Sequence, residues 1–149
     1  MSRRPNSSFP ARKANSSGSS NSISTYFYNC LYESVWKNNR RRHDERIATR
    51  DLLNSYGRDY RVVFVGDASM SPYEIVSPGG SVEHINPEPG KVWLERAILT
   101  WPRTVWINPT LERHWPYSQS TRMIAEILQG RMFPLTPDGV ESAMRALAA

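Results

Sequence analysis

Arg61-Val62-Val63-Phe64-Val65-Gly66-Asp67-Ala68-Ser69-Met70-Ser71 decides how the rest of the chain is read. Four β-branched or aromatic residues in a row, opened by Asp59-Tyr60 and closed by Gly66, describe a strand buried on both faces, as inside a parallel sheet. The run stops at a carboxylate. In open α/β sheets ligands gather outside the carboxyl ends of strands, so Asp67, with Ser69 and Ser71 after it, is a candidate site. Such oxygen ligands suit Mg²⁺, Ca²⁺ or Mn²⁺ better than zinc. The competing reading of Asp67 is structural: Asp and Ser dominate turns, and the carboxylate can cap the turn that follows it.

Outward from this strand the pattern alternates. Before it, Thr49 stands as an N-cap ahead of Arg50 to Tyr56, with Leu52, Leu53 and Tyr56 on one face and Gly57 as the stop. After it, Pro72 to Gly90 reads as a long irregular stretch holding Glu83 and His84. Lys91 to Trp101 carries Leu94, Ala97, Ile98 and Trp101 at helical spacing. Thr104 to Ile107 is a second buried strand closing on Asn108-Pro109-Thr110. Tyr117 to Gln129 is a helix, Met132 to Leu135 an edge strand with a proline, and Thr136-Pro137 opens a last helix. The order helix, strand, helix, strand, helix, strand, helix predicts a doubly wound, mostly parallel α/β sheet.

The first third of the chain is different. Residues 1–22 carry Arg3, Arg4, Arg12 and Lys13, no acid, and many serines, which predicts a disordered tail and leaves 23–149 as the folded domain. Ile23 to Trp36 predicts an antiparallel hairpin turning at Asn29-Cys30, and Lys37 to Arg46 an exposed basic loop. Of 149 residues, 19 are Lys or Arg and 14 Asp or Glu, but from Asp51 onward nine bases face eleven acids. The positive excess therefore sits in the tail and one loop, which argues against a nucleic-acid-binding fold. A single cysteine, Cys30, excludes an internal disulfide and a cysteine-rich metal site. With no apolar leader or membrane-length run, the expected location is the cytoplasm. No Walker loop, Gly-x-Gly-x-x-Gly turn, Gly-x-Ser-x-Gly elbow or His-Glu-x-x-His helix appears.

Four stretches together carry a resemblance: Tyr26-Phe27-Tyr28-Asn29-Cys30-Leu31-Tyr32-Glu33-Ser34-Val35-Trp36, the Arg40-Arg41-Arg42-His43-Asp44-Glu45-Arg46-Ile47 loop, Val65 through Ile75, and Gly130-Arg131-Met132-Phe133-Pro134-Leu135-Thr136. From about Ser22 to Ala149 the chain resembles the C-terminal part of bacterial von Willebrand factor type A (VWA) domain proteins of the CoxE-like kind. The resemblance implies a Rossmann-like sheet lacking the family's first strand and helix, with an antiparallel hairpin at its start. The absent strand belongs mid-sheet, between the hairpin and the Val62 strand.

The resemblance also implies a function without catalysis. In such domains a divalent cation, usually Mg²⁺, sits at a metal-ion-dependent adhesion site (MIDAS) and is completed by an acidic side chain of a protein partner. Thr49 resembles the family's ligating threonine and Asp67 its late aspartate, with Ser69 and Ser71 as further loop residues of that site. A MoxR-type AAA+ ATPase is the implied partner class. Two other classes compete: a Mg²⁺-dependent hydrolase or phosphotransferase using Asp67, and weak nucleic-acid binding through the basic tail and the Arg40 to Arg42 loop.

Overall fold

The computed structural model describes residues 8–14, 20–81 and 86–149. Glu83 and His84 lie outside the described residues. The strands are β1 (Ser8–Ala14), β2 (Ser20–Tyr26), β3 (Ser34–Trp36), β4 (Arg46–Ala48), β5 (Tyr60–Val65), β6 (Thr104–Asn108) and β7 (Met132–Pro134). The α-helices are α1 (Thr49–Ser55), α2 (Pro72–Val76), α3 (Gly90–Thr100), α4 (Gln119–Ile127) and α5 (Pro137–Ala148). The strands form one sheet in the order β4-β3-β2-β1-β5-β6-β7.

This is a mixed α/β sheet, not a mostly parallel one. Strands β5, β6 and β7 are parallel, as the alternating pattern predicts. The four pairings from β4 to β5 are antiparallel. For the three pairs of consecutive strands, connection length is the reason: five residues separate β1 from β2, seven β2 from β3 and nine β3 from β4, whereas parallel neighbours need a crossover of a dozen or more.

The largest departure from the sequence reading is β1. Ser8–Ala14 falls inside the stretch expected to be a disordered tail, yet it pairs with β2 along its whole length and with β5 on its other side. It occupies a mid-sheet position between β2 and β5. Ladder bonds are made by the main chain, so a segment poor in strand-forming side chains can still fill a gap between two strands that need partners. Pro10 marks the cost. The β1–β5 pairs step from Ser8–Val65 to Ala11–Val62, passing over Phe9 and Pro10.

The predicted hairpin is shorter than expected. Tyr26 and Trp36 make the single β2–β3 pair, and the turn falls at Asn29, whose φ of 57° lies in the left-handed region asparagine tolerates. Phe27, Cys30, Leu31 and Tyr32 belong to the core as irregular chain. The expected basic loop ends as the edge strand β4, Arg46–Ala48, begins, and within the loop Arg41 lies over the Tyr28 and Trp36 rings.

Two apolar layers flank the sheet. On one face Val62, Phe64, Trp106 and Met132 pack with Leu52, Ile75, Leu94 and Ile124 from α1 to α4 and with Leu128, which follows α4. On the other, Val105 and Ile107 pack with Ala143 and Leu147 of α5, with Val63 and Val65 partly buried beside them. Hence β6 is buried throughout, whereas β5, expected to be buried on both faces, alternates buried and half-buried residues. No helix among the described residues is long and apolar enough to cross a membrane.

Candidate functional site

The chain leaving β5 is fixed before it reaches Asp67. Trp106 Nε1–H donates to the Gly66 carbonyl at 2.8 Å, and the Gly66 N–H donates to the Ile107 carbonyl at 3.2 Å. The Asp67 carbonyl then accepts from Asn108 Nδ2 at 3.0 Å, which ties the carboxyl ends of β5 and β6 together. Both side chains close local turns. Asp67 Oδ1 accepts the Ser69 N–H at 3.0 Å, and Asn108 Oδ1 accepts the Thr110 N–H at 2.9 Å. The turn-capping role weighed for Asp67 is therefore the one its geometry displays.

Ala68 follows at φ 57° while 1% exposed, an uncommon conformation for a residue with a Cβ. Hydroxyls at the start of α4 hold it there. Ser120 Oγ donates to the Ala68 carbonyl at 2.7 Å and accepts the Met70 N–H at 3.0 Å, and Thr121 Oγ1 lies 3.2 Å from the same carbonyl. Ser118 caps α4 by accepting the Thr121 N–H. Replacing Ser120 with Ala is expected to cost about 1–3 kcal/mol, because a buried carbonyl and a buried N–H lose one partner together. Urea unfolding should show it as a lower midpoint at unchanged slope; an unchanged midpoint would mean that Ser120 does not pin the loop.

Ser69 and Ser71 are exposed. Pro72 does not begin irregular chain as expected, since Ser71 is the N-cap of α2 and Pro72 its first residue. The Ser71 N–H donates to Glu74 Oε2 at 3.2 Å. Glu74 is only 8% exposed; Tyr32 Oη donates to its Oε1 at 3.4 Å and Asn29 Nδ2 reaches both carboxylate oxygens. Beside it, burial pushes the Cys30 thiol up to about 12, with the Glu74 charge adding to the effect, so Cys30 is an inert core thiol. Burial raises the Tyr32 hydroxyl as well, with Cys30 and Glu74 contributing. The sequence reading overlooked Glu74, although Ser71-Pro72-Tyr73-Glu74 spells the Ser-x-x-Glu helix start that would have found it.

Thr49 is placed elsewhere. It is the first residue of α1, the N-cap being Ala48, so the expected capping role shifts by one residue. Its hydroxyl, 1% exposed, donates to the Tyr32 carbonyl at 2.5 Å, and its N–H donates to the Glu33 carbonyl at 2.8 Å. Thr49 follows β4 directly and Asp67 stands two residues past β5, four strand spacings away. At ~4.8 Å per spacing the two strands are about 19 Å apart. Two ligands of one Mg²⁺ lie within ~4.2 Å of each other, since each bond is about 2.1 Å.

The residues present therefore do not fit the expected cation. Thr49 and Asp67 do not converge, the Thr49 hydroxyl is buried on a carbonyl, and Asp67 with Ser69 and Ser71 supplies one negative charge on a turn. Among the described residues no group of three or more His, Cys, Asp or Glu is arranged to hold a metal ion.

The same end of the sheet does form a groove. The chain after β6, β7 and the first turn of α5 enclose about 570 Å³, lined by Pro109, Leu111, Phe133 and Leu135 with Glu112 and Asp138. Leu111 and Leu135 are each 56% exposed. No family model, curated protein or solved structure matches this chain.

Proposed function

We propose that the chain is a non-enzymatic protein-binding module built on a partial VWA-type, Rossmann-like sheet, with its partner docking at the carboxyl ends of β5 to β7. The observation that carries this reading is the groove. Two half-exposed leucines stand between rigid turns at the end of the sheet where open α/β folds take ligands. Large apolar side chains held in place at a concave surface favour a partner's apolar side chains. Glu112 and Asp138 at the rim disfavour an acidic partner residue in this groove.

A MoxR-type AAA+ ATPase is the partner to test first, on the strength of the sequence resemblance. Titration of a purified ATPase of that type should give saturable binding that Leu111→Asp and Leu135→Asp together abolish. Binding untouched by both substitutions would remove the groove from the reading, and no binding at all would remove that partner.

The expected MIDAS-type cation is a separate matter, because Thr49 and Asp67 do not converge on an ion. The melting temperature of the protein alone should be equal within about 1 °C in millimolar Mg²⁺ and in EDTA. A native-state ligand at a hundred times its Kd would add about 2.7 kcal/mol, a shift of several degrees. Such a rise with Mg²⁺ would restore a cation site in the Asp67 loop.

A further inference from the structure

The apolar side chains of the carboxyl-end groove stand on main chain that is already tied down. Beside Leu111, the Thr110 N–H donates to Asn108 Oδ1 and the Trp115 indole N–H to the Thr110 carbonyl, both at 2.9 Å. The Leu111 carbonyl itself accepts the His114 N–H at 2.9 Å. Beside Leu135, whose N–H donates to the Asn108 carbonyl at 3.1 Å, Thr136 Oγ1 accepts the Gly139 N–H at 3.0 Å. Leu111 and Leu135 are half-exposed, and the half-buried Phe133 lines the groove with them. An apolar surface fixed in advance loses little freedom when a partner's apolar side chain settles on it.

The charges on the elements that wall the groove are one-sided. Glu112 and Asp138, both exposed, belong to the described lining, which holds no Lys, Arg or His. Arg131, ahead of β7, donates to the Leu128 carbonyl at 3.1 Å and to the Pro102 carbonyl, which lies at the opposite end of the sheet. On α5, Arg145 holds Glu141 at 2.6 Å. Arg113 and His114 are exposed on the turn Glu112–Tyr117 and stand outside the lining. Among the described residues Glu112 and Asp138 make no ion pair. Two carboxylates with no base between them repel phosphate and carboxylate groups and attract cations to the rim.

We infer that the carboxyl-end groove takes a short segment of the partner in which apolar side chains are flanked by Arg or Lys. The apolar side chains lie against Leu111, Phe133 and Leu135, and the flanking cations answer Glu112 and Asp138. The chemistry divides accordingly: the leucines supply the contact area, and the carboxylates set the sign of the partner and exclude an acidic one. This inference rests on the reading of the groove as the docking surface and adds the partner's chemistry to it. It does not require the partner to be an ATPase.

The test uses the full chain and a fluorescein-labelled peptide, Gly-Arg-Leu-Leu-Lys-Gly, followed by anisotropy at low and raised salt. Saturable binding is expected, weakened by salt and about tenfold weaker when Glu112→Gln and Asp138→Asn are combined. A peptide with Asp in place of Arg and Lys, or with Gly in place of both leucines, should not bind. The methyl resonances of Leu111 and Leu135 in the unaltered protein should shift on peptide addition, a readout that needs no variant. Absence of saturable binding, indifference to the double substitution, equal binding of either control peptide, or unmoved leucine methyls would overturn the inference. So would binding that emerges only after Arg3→Glu and Arg4→Glu: Ser8, paired with Val65, opens β1 at this end of the sheet, and the chain's own arginines would then be the occupant. The ATPase titration separates the two readings. Peptide binding without ATPase binding keeps this inference and removes that partner. ATPase binding that needs Leu111 and Leu135, with no peptide binding, keeps the groove and overturns this inference.

Discussion

Replacement of Trp106 by Ala is expected to lower stability by about 4–5 kcal/mol, the upper end for truncating a buried aromatic residue. Its side chain is fully buried, stacks on Phe64 at 5.3 Å between centroids and meets Phe27 edge-on at 5.6 Å. Its N–H also holds the Gly66 carbonyl at 2.8 Å, so truncation opens a cavity and leaves a buried acceptor unmet. Since small domains are stable by only about 5–15 kcal/mol, the variant should lose between about a third and nearly all of its stability. Trp106→Phe separates the two effects: most of the packing stays, and the expected loss falls to about 1–3 kcal/mol. Urea unfolding of the three proteins measures both. If Trp106→Ala unfolds within about 1 kcal/mol of wild type, the strand-end core is not packed as described.

Trp106 also shows which half of the fold was legible. The parallel strands β5, β6 and β7 and the helices α3, α4 and α5 follow from apolar runs and helical spacing, because those elements bury a face and the face leaves a period in the sequence. No such period marks β1. Ser8-Phe9-Pro10-Ala11-Arg12-Lys13-Ala14 has the composition of a tail, and its main chain pairs in the slot between β2 and β5. Short polar edges such as β4 are hidden for the same reason: three residues of Arg-Ile-Ala carry no pattern. The candidate site divides in the same way. Asp67 was visible because it ends a strand, and its turn with Ser69 is local. Ser120 and Thr121 were not, because their partner Ala68 lies more than fifty residues away in sequence. Pairing Thr49 with Asp67 rested on resemblance alone, and the strand order separates them by the width of four strands.

Gly139→Ala is expected to destabilise by about 2–3 kcal/mol, against the usual sign for this exchange in a helix, where Ala is favoured by about 1 kcal/mol. A Cβ at Gly139 would stand 2.0 Å from the Pro134 carbonyl oxygen and 2.8 Å from its ring. Neither neighbour can swing away as the end of a flexible side chain could. Pro134 pairs with Asn108 at the end of β7, and the next residue, Leu135, donates its N–H to the Asn108 carbonyl at 3.1 Å. The helix is equally constrained, because the Gly139 N–H is held by the Thr136 cap at 3.0 Å. Something must lift, and the first turn of α5 is the piece with least behind it. That turn is also a wall of the carboxyl-end groove, so a partner that docks there as proposed should bind the variant more weakly. Gly57→Ala is the matched control: nothing lies within 4 Å of its Cβ position, and the expected change is neutral to about 1 kcal/mol stabilising. If Gly139→Ala instead raises the unfolding midpoint as Gly57→Ala does, α5 does not rest on Pro134, and the groove loses the wall that defines it.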